Sequence, residues 1–354
     1  METEILQVIT DTDRRGAQVF ATDLEPELRS RGRTIKTVAL APGHYMEGLA
    51  VPVLGPTRLG GVTLRALRQQ IRQSRVVVGH GSSTLPACAV AASGLPQPFV
   101  YRQISDSLFW APTRARKMRV RAGMQRAAAI VALWSGSART LTKHFGVAER
   151  KITIIPNGVP AMRFPQATAA DRAQARRQLG LPCDAPVALY MGALVPEKGV
   201  DTGIRAVSRM AGTYLLVVGD GPERTALERL ARDEDGARIR FTGSLDAPWQ
   251  AYAAADVAVL PSRGGDSMPA VLIEAGLMGL PAVATPVEGI VDIVVQDVTG
   301  KLVQPDDAPA LAHALRDVLL RKDRYGSAAR QHCIERFEIT AVAKCWDEVL
   351  SRLL

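Results

Sequence analysis

Lys198, Asp266 and Glu274 have the types and spacing to hold a ligand that carries both phosphate and hydroxyl groups. Asp266 and Glu274, with seven residues between them, lie in the stretch PSRGGDSMPAVLIEAGLMGLPAVATP, residues 261–286. It reads as a strand end, a Gly-rich loop, a helix and a second short apolar run. Ser267 is a candidate cap for that helix, and Pro269, with fixed φ and no N–H, suits a first helical turn. A helix starting there aims free N–H groups at the loop mouth, where an anion can be held. One carboxylate then reaches a ligand from the loop and the other from the helix. The same residues also fit a polar loop ahead of an ordinary amphipathic helix, so the rest of the chain has to decide between the two.

Three further loops follow apolar runs. Residues 192–199, GALVPEKG, put Lys198 just before a helix, where its ammonium can pair with phosphate or simply serve as surface charge. Gly219-Asp220-Gly221-Pro222 is a tight turn with two glycines of a dinucleotide fingerprint, but Arg224 stands at the third glycine position and weakens an oxidoreductase reading. Near the N-terminus, Gly16 in TDTDRRGAQ (residues 10–18) can let the backbone approach a phosphate at a helix start. His80, between Gly79 and Gly81 at a strand end, is either a turn residue or an exposed catalytic imidazole. The chain has neither a Walker loop nor a G-x-S-x-G elbow, which removes the usual support for P-loop phosphotransfer and α/β-hydrolase chemistry.

The elements that must position these residues alternate regularly. Short apolar runs at residues 5–10, 35–40, 76–81, 98–101, 129–134 and 152–156 read as strands, separated mostly by helical patterns such as 17–30 and 85–92. After a polar, Ala- and Arg-rich connection with a helix near 171–179, runs at 187–192, 214–219, 239–243, 256–260 and 281–285 repeat the pattern. Parallel pairing with crossover helices is the economical topology: an α/β chain of two doubly wound, Rossmann-like domains, with the boundary near Arg163. Ligands of such sheets bind beyond the carboxyl ends of the strands, where all of these loops lie.

Charge is uneven. Residues 1–165 carry 23 Lys and Arg against 10 Asp and Glu, and the remainder carries 21 against 25, so an anionic partner is expected for the first half. Residues 114–126 alone have six basic side chains and no acidic one, compatible with a solvated helix, an anionic acceptor or a membrane surface. Nucleic acid is not expected, since no binding motif or aromatic interleaving accompanies the charge. The four cysteines and five histidines are dispersed, without a zinc or disulfide pattern, so no metal is expected. No apolar stretch approaches a membrane span and the N-terminus reads directly as a strand, so the expected location is cytoplasmic, peripheral at the inner membrane face if the basic stretch meets lipid.

In order and spacing, Gly16-Ala17-Gln18, Ile155-Pro156-Asn157-Gly158-Val159, residues 192–199, Val218-Gly219-Asp220-Gly221-Pro222, Phe241-Thr242-Gly243 and residues 261–286 resemble the family-4 retaining glycosyltransferases of the GT-B fold. The resemblance spans nearly the whole chain. It implies two Rossmann-like domains facing across a cleft: residues 1–163 binding the acceptor, with a C-terminal helix at 337–354 packing back on them, and 164–336 binding the donor. It also implies transfer of a hexose-type sugar from a UDP- or GDP-sugar to a small-molecule or lipid-linked hydroxyl acceptor, with retention and without metal or other cofactor. A nucleotide-sugar epimerase of the same fold is the alternative.

By the same resemblance, Asp266 and Glu274 match the family's paired acids, Glu274 holding the ribose and Asp266, one methylene shorter than the usual Glu, holding the sugar. Lys198 neutralises the diphosphate, and Ala193 stands where a second cation is common. Gly16, Gly219, Gly221, Thr242, Gly243, Ser267, Met268, Pro269 and Ala270 complete the donor site. A histidine commonly found after the fourth strand is missing, which leaves His80 as a catalytic candidate and Arg102, Asp106, Arg14 and Arg15 on the acceptor side.

Overall fold

The computed structural model describes residues 3–44, 48–105, 107–111, 113–245 and 247–354; Asp106 lies outside them. The chain forms two compact units, Met1–Val159 with Ile339–Leu354, and Pro160–Glu338. Each is built on a parallel six-stranded sheet. In the first unit the strands are β1 (Thr3–Ile9), β2 (Ile35–Ala39), β3 (Ser74–His80), β4 (Phe99–Arg102), β5 (Ala129–Ala132) and β6 (Ile152–Ile154), in the order β2-β1-β3-β4-β5-β6. In the second they are β7 (Val187–Met191), β8 (Tyr214–Val218), β9 (Ile239–Gly243), β10 (Val257–Leu260), β11 (Ala282–Ala284) and β12 (Gly300–Leu302), in the order β12-β11-β10-β7-β8-β9. β12 has only three residues and a half-buried Lys301, too weak a pattern to read as a strand from the sequence.

Alternation along the strands builds two cores on the first sheet. Leu6, Val8, Val77, Phe99, Tyr101, Ile130 and Ala132 point to one face, under the helices Gly61–Arg72, Thr84–Ala91, Arg114–Arg126 and Ser135–Phe145. Ile5, Val76, Val78, Val100 and Val131 point to the other, under the helices Gly16–Ser30 and Ile339–Ser351. The second of these helices presents Ile339, Val342, Ala343, Trp346, Val349 and Leu350 at helical spacing, and so belongs to the first unit although it ends the chain.

That second core also holds polar side chains. His80 is 1 % exposed and Arg102 is fully buried. Gln7 donates from Nε2 to the Ala21 carbonyl and to Thr37 Oγ1, so its Oε1 faces His80 as an acceptor, and His80 is a neutral imidazole protonated on Nε2 (2.9 Å). The His80 ring lies 6.2 Å from that of Phe20 and 6.0 Å from that of Trp346. The Arg102 Cζ sits 3.6 Å over the Phe20 ring and the guanidinium donates to Asn157 Oδ1. Neither residue presents an open face to a ligand, which corrects the catalytic reading of His80 and the acceptor reading of Arg102. Burial lowers the pKa of both, that of Arg102 to about 9.

In the second unit, Asp256 immediately precedes β10 and is held from all sides. Its carboxylate takes Arg172, Arg176 (2.8 Å), Lys322 (2.6 Å) and the Val187 N–H (2.9 Å), tying the helices Ala169–Gln178 and Lys322–Phe337 to the start of the sheet. Burial alone would raise its pKa, but these partners outweigh it and hold the pKa below the usual carboxylate value.

Two stability measurements check these readings. Asp256→Ala leaves buried Arg176 without its counter-charge and is expected to cost about 3 kcal/mol in chemical denaturation; a loss under about 1 kcal/mol would show that the cations find other partners. For His80, the folded pKa is depressed, so the unfolded chain takes up a proton that the core refuses, and stability is lost as pH falls through about 6.5. His80→Gln is expected to shrink the loss between pH 7 and pH 5 by about 2 kcal/mol, and an unchanged loss would place that slope on other groups.

Candidate functional site at the switch point of the second unit

In the second sheet the chain runs outward from β7 through β8 to β9, then returns to place β10 on the other side of β7. The loops after β7 and β10 therefore diverge at a topological switch point, the crevice where open α/β sheets bind ligands. Lys198 is in the first loop and Asp266 in the second.

One close approach joins them. Gly199 ends the short turn Pro196–Lys198 at φ 61°, and a Cβ there would lie 2.1 Å from the Pro261 carbonyl oxygen, so only glycine fits. Arg263 then braces the two loops. Its N–H donates to the Glu197 carbonyl (2.7 Å), Nη1 to the Pro196 carbonyl (2.7 Å), and Nε and Nη2 to Asp306 (2.6 Å) and Asp201 (2.9 Å). With the backbones fixed, Lys198 Nζ pairs with Asp266 Oδ1, while Asp266 Oδ2 accepts from the buried Ser262 hydroxyl. Asp266 is 6 % exposed, so this pair is far less screened than a surface one.

The helix Ala270–Leu277 starts beside this pair. Pro269 is its N-cap, at φ −71° and ψ 120°, and no side chain caps it. Ser267, expected to cap it, instead donates its hydroxyl to Glu288, because Ser267 is two residues upstream of the actual cap position. Glu274 lies in the second turn and accepts from the Tyr252 hydroxyl at 2.5 Å. Burial, and then the Glu274 charge, push the Tyr252 pKa well up, so the phenol remains a donor and fixes the carboxylate's direction.

The remaining candidates divide by role. A Cβ at Gly219 would lie 1.9 Å from the Gly192 carbonyl oxygen, and one at Gly221 2.4 Å from that of Leu194; these glycines let the loop after β8 nest on the loop after β7. Ala193 is exposed, and its carbonyl takes the Tyr190 hydroxyl (2.8 Å). Thr242 Oγ1 donates to the Gly243 carbonyl (2.9 Å), and Gly243 has φ 74°. Met268 is buried. Gly16 belongs to the first unit, where it opens an uncapped helix and a Cβ would meet nothing within 4 Å. Arg14 and Arg15 beside it are exposed, and Arg15 pairs with Asp13 at 2.8 Å. In the helix Arg114–Arg126 only Val120, Gly123 and Met124 are buried, while Met118 is 71 % exposed among the basic side chains.

Sequence reasoning missed Tyr252, Ser262, Arg263 and Glu288. Ser262 and Arg263 lie in the quoted 261–286 stretch and were legible as its polar members. Tyr252 is 22 residues from Glu274 and carried no motif. What the assembled site offers is one cation, a helix start, and carboxylates oriented by hydroxyl donors: partners for phosphate and for sugar hydroxyls.

Residues 14–163 match the model described as Glycosyltransferase Family 4, and residues 185–321 the model described as Glycosyl transferases group 1. A D-inositol 3-phosphate glycosyltransferase of Geodermatophilus obscurus is 36 % identical over 57 % of this chain and 48 % of its own length. A lipopolysaccharide core biosynthesis glycosyltransferase of Rhizobium meliloti is 32 % identical over 57 % of this chain and 58 % of its own. The chain thus spans about half the length of the relatives it matches. Among solved structures, Anabaena HepE in complex with UDP superposes with a TM-score of 0.85 at 20 % identity, covering 99 % of this chain and 100 % of that one. A glycosyltransferase from Rickettsia africae superposes with a TM-score of 0.86 at 16 % identity, over 100 % of this chain and 99 % of that one. With both family models matched in order on two parallel six-stranded sheets, the chain belongs to the family-4, group-1 glycosyltransferases and has the GT-B fold.

Proposed function

We propose that the protein is a retaining, metal-independent glycosyltransferase that moves a hexose-type sugar from a UDP- or GDP-sugar to a hydroxyl acceptor. The observation that carries this reading is the Lys198–Asp266 pair at the β7/β10 switch point, with Glu274 on the helix that starts beside it. The UDP and UDP-glucose complexes of Anabaena HepE, a protein of the same fold, support the donor class.

An arriving donor exchanges partners with the ion pair. Its diphosphate takes the Lys198 ammonium, and the Asp266 oxygen so released accepts from a sugar hydroxyl; Glu274 accepts from the ribose. As the bond from the anomeric carbon to the phosphate oxygen breaks, negative charge grows on the leaving diphosphate, where Lys198 and the start of the helix Ala270–Leu277 stabilise it. The acceptor hydroxyl attacks from the same face and passes its proton to the leaving phosphate oxygen. The first unit binds the acceptor, and its exposed basic helix Arg114–Arg126 favours an anionic one, free or lipid-linked, at the cytoplasmic face of a membrane. Among the described residues no helix is long and apolar enough to cross a membrane.

A panel of UDP- and GDP-sugars read by thermal shift tests the donor class, since a ligand at a hundred times its Kd stabilises the fold by about 2.7 kcal/mol. Lys198→Ala is expected to lower donor turnover about a hundredfold or more, measured well below a melting temperature that itself falls because buried Asp266 loses its counter-charge. Glu274→Gln, which keeps an acceptor for Tyr252, is expected to weaken nucleotide binding about tenfold. Near-normal values in either variant would remove that residue from the site, and epimerised donor formed without acceptor would favour an epimerase.

A further inference from the structure

A cavity of about 160 Å³, room for about five waters, lies in the second unit where β10 and β11 begin, at the opposite end of the strands from Lys198 and Asp266. Asp256, Arg172, Lys322 and Gln166 line it, together with Asp323 and Tyr252. It holds more positive charge than its buried carboxylate can use.

The hydrogen bonds around Asp256 show which charges are spent. Its two oxygens have about four lone-pair sites, and four donors fill them: Arg172, Lys322, Arg176 and the Val187 N–H. Arg176 is 2 % exposed, and the rest of its guanidinium donates to the carbonyls of Ala254, Pro182 and Cys183. That one cation balances Asp256. Arg172 and Lys322, both half-buried, then bring two further positive charges, opposed at the cavity only by the exposed carboxylate of Asp323. The excess is felt by its neighbour: burial, and then repulsion from Arg172, lower the pKa of Arg176 even with Asp256 beside it.

Donors remain as well as charge. Among the described residues Lys322 Nζ, with three protons, donates only to Asp256, and Arg172 donates from Nη1 to the Ala255 carbonyl and from Nη2 to Asp256 but not from Nε. The exposed Gln166 amide has no partner among them. In contrast to the Lys198–Asp266 pair, no bond has to break for an anion to enter.

We propose that this cavity binds the dianionic phosphate group of a small molecule, held by Lys322 and Arg172 with the Gln166 amide donating, at a site separate from the donor site. Two negative charges match two uncompensated cations, and the volume admits a tetrahedral oxyanion with little more. Tyr252, which lines the cavity, also donates its hydroxyl to Glu274, so one residue belongs to both sites. The assignment does not depend on the glycosyltransferase reading.

Melting of the full chain is followed against inorganic phosphate, with sodium chloride added to hold the ionic strength constant, and each variant is compared with its own phosphate-free melting temperature. A saturating rise is expected for wild type. Lys322→Gln is expected to raise the half-saturating concentration about tenfold, the loss of one charge-assisted hydrogen bond, and Asp323→Asn to lower it about threefold by removing the opposing charge. Opposite shifts in these two neighbours are not what a purely structural role of Lys322 would give. Lys198→Gln is expected to keep the rise, since the phosphate is not at the donor site. Glycerol 3-phosphate is expected to replace phosphate, and vesicles containing phosphatidic acid are not. No saturating rise, a rise that follows ionic strength alone, a rise lost in Lys198→Gln but kept in Lys322→Gln, or binding confined to the vesicles would each overturn the proposal.

Discussion

The contact between Gly199 and the Pro261 carbonyl is the constraint on which the candidate site depends. A lysine on one loop and a carboxylate on another, 68 residues apart, meet only if the two backbones touch, and a side chain at position 199 would prevent that. Tertiary structure supplies the rest. The switch point sends the loops after β7 and β10 to opposite sides of one crevice, and Arg263 uses four donors to lock them together. Lys198 and Asp266 then need little conformational adjustment to find one another, so most of the ordering cost of the site is met on folding, before any ligand arrives.

How far the sequence alone reveals this depends on the kind of interaction. Strands with central apolar runs, such as Val76–Val78 in β3 and Leu215–Val218 in β8, are legible because both faces of the sheet are buried there. Lys198 and Asp266, after strand ends, and Glu274, on the helix that follows, are legible as candidates because polar groups in these places of a doubly wound sheet have few other reasons to cluster. His80 misleads for the opposite reason. A histidine between two glycines at a strand end has the local pattern of an exposed turn, but the C-terminal helix Ile339–Ser351 lays Trp346 against it, and a contact spanning that much chain leaves no local signature. Arg102 is hidden in the same way, buried against Phe20 and Asn157. Ser267 has the residue type of a cap but not the position, since the helix begins only after Pro269. Glu288 carries no signal at all, because a positive φ at a glutamate is visible only in the backbone.

The two ends of β10 hold carboxylates in contrasting surroundings. Before the strand, Asp256 faces three cations and a backbone N–H, and every one of them also anchors a helix or a strand start. Withdrawing any partner would strand a charge in a buried place, so that cluster suits permanence. After the strand, Asp266 has a single cation, Lys198, together with a serine hydroxyl that can rotate. A phosphate can take over the ammonium, and a sugar hydroxyl can replace the ammonium at the carboxylate, with the number of charge-assisted bonds conserved. An ion pair whose two halves each have a matching group on one ligand exchanges partners at little cost, whereas an over-coordinated one does not. Parallel strands put the exchangeable pair at the carboxyl end, where the loops are free to vary, and the permanent one at the amino end, where the helices return to the sheet.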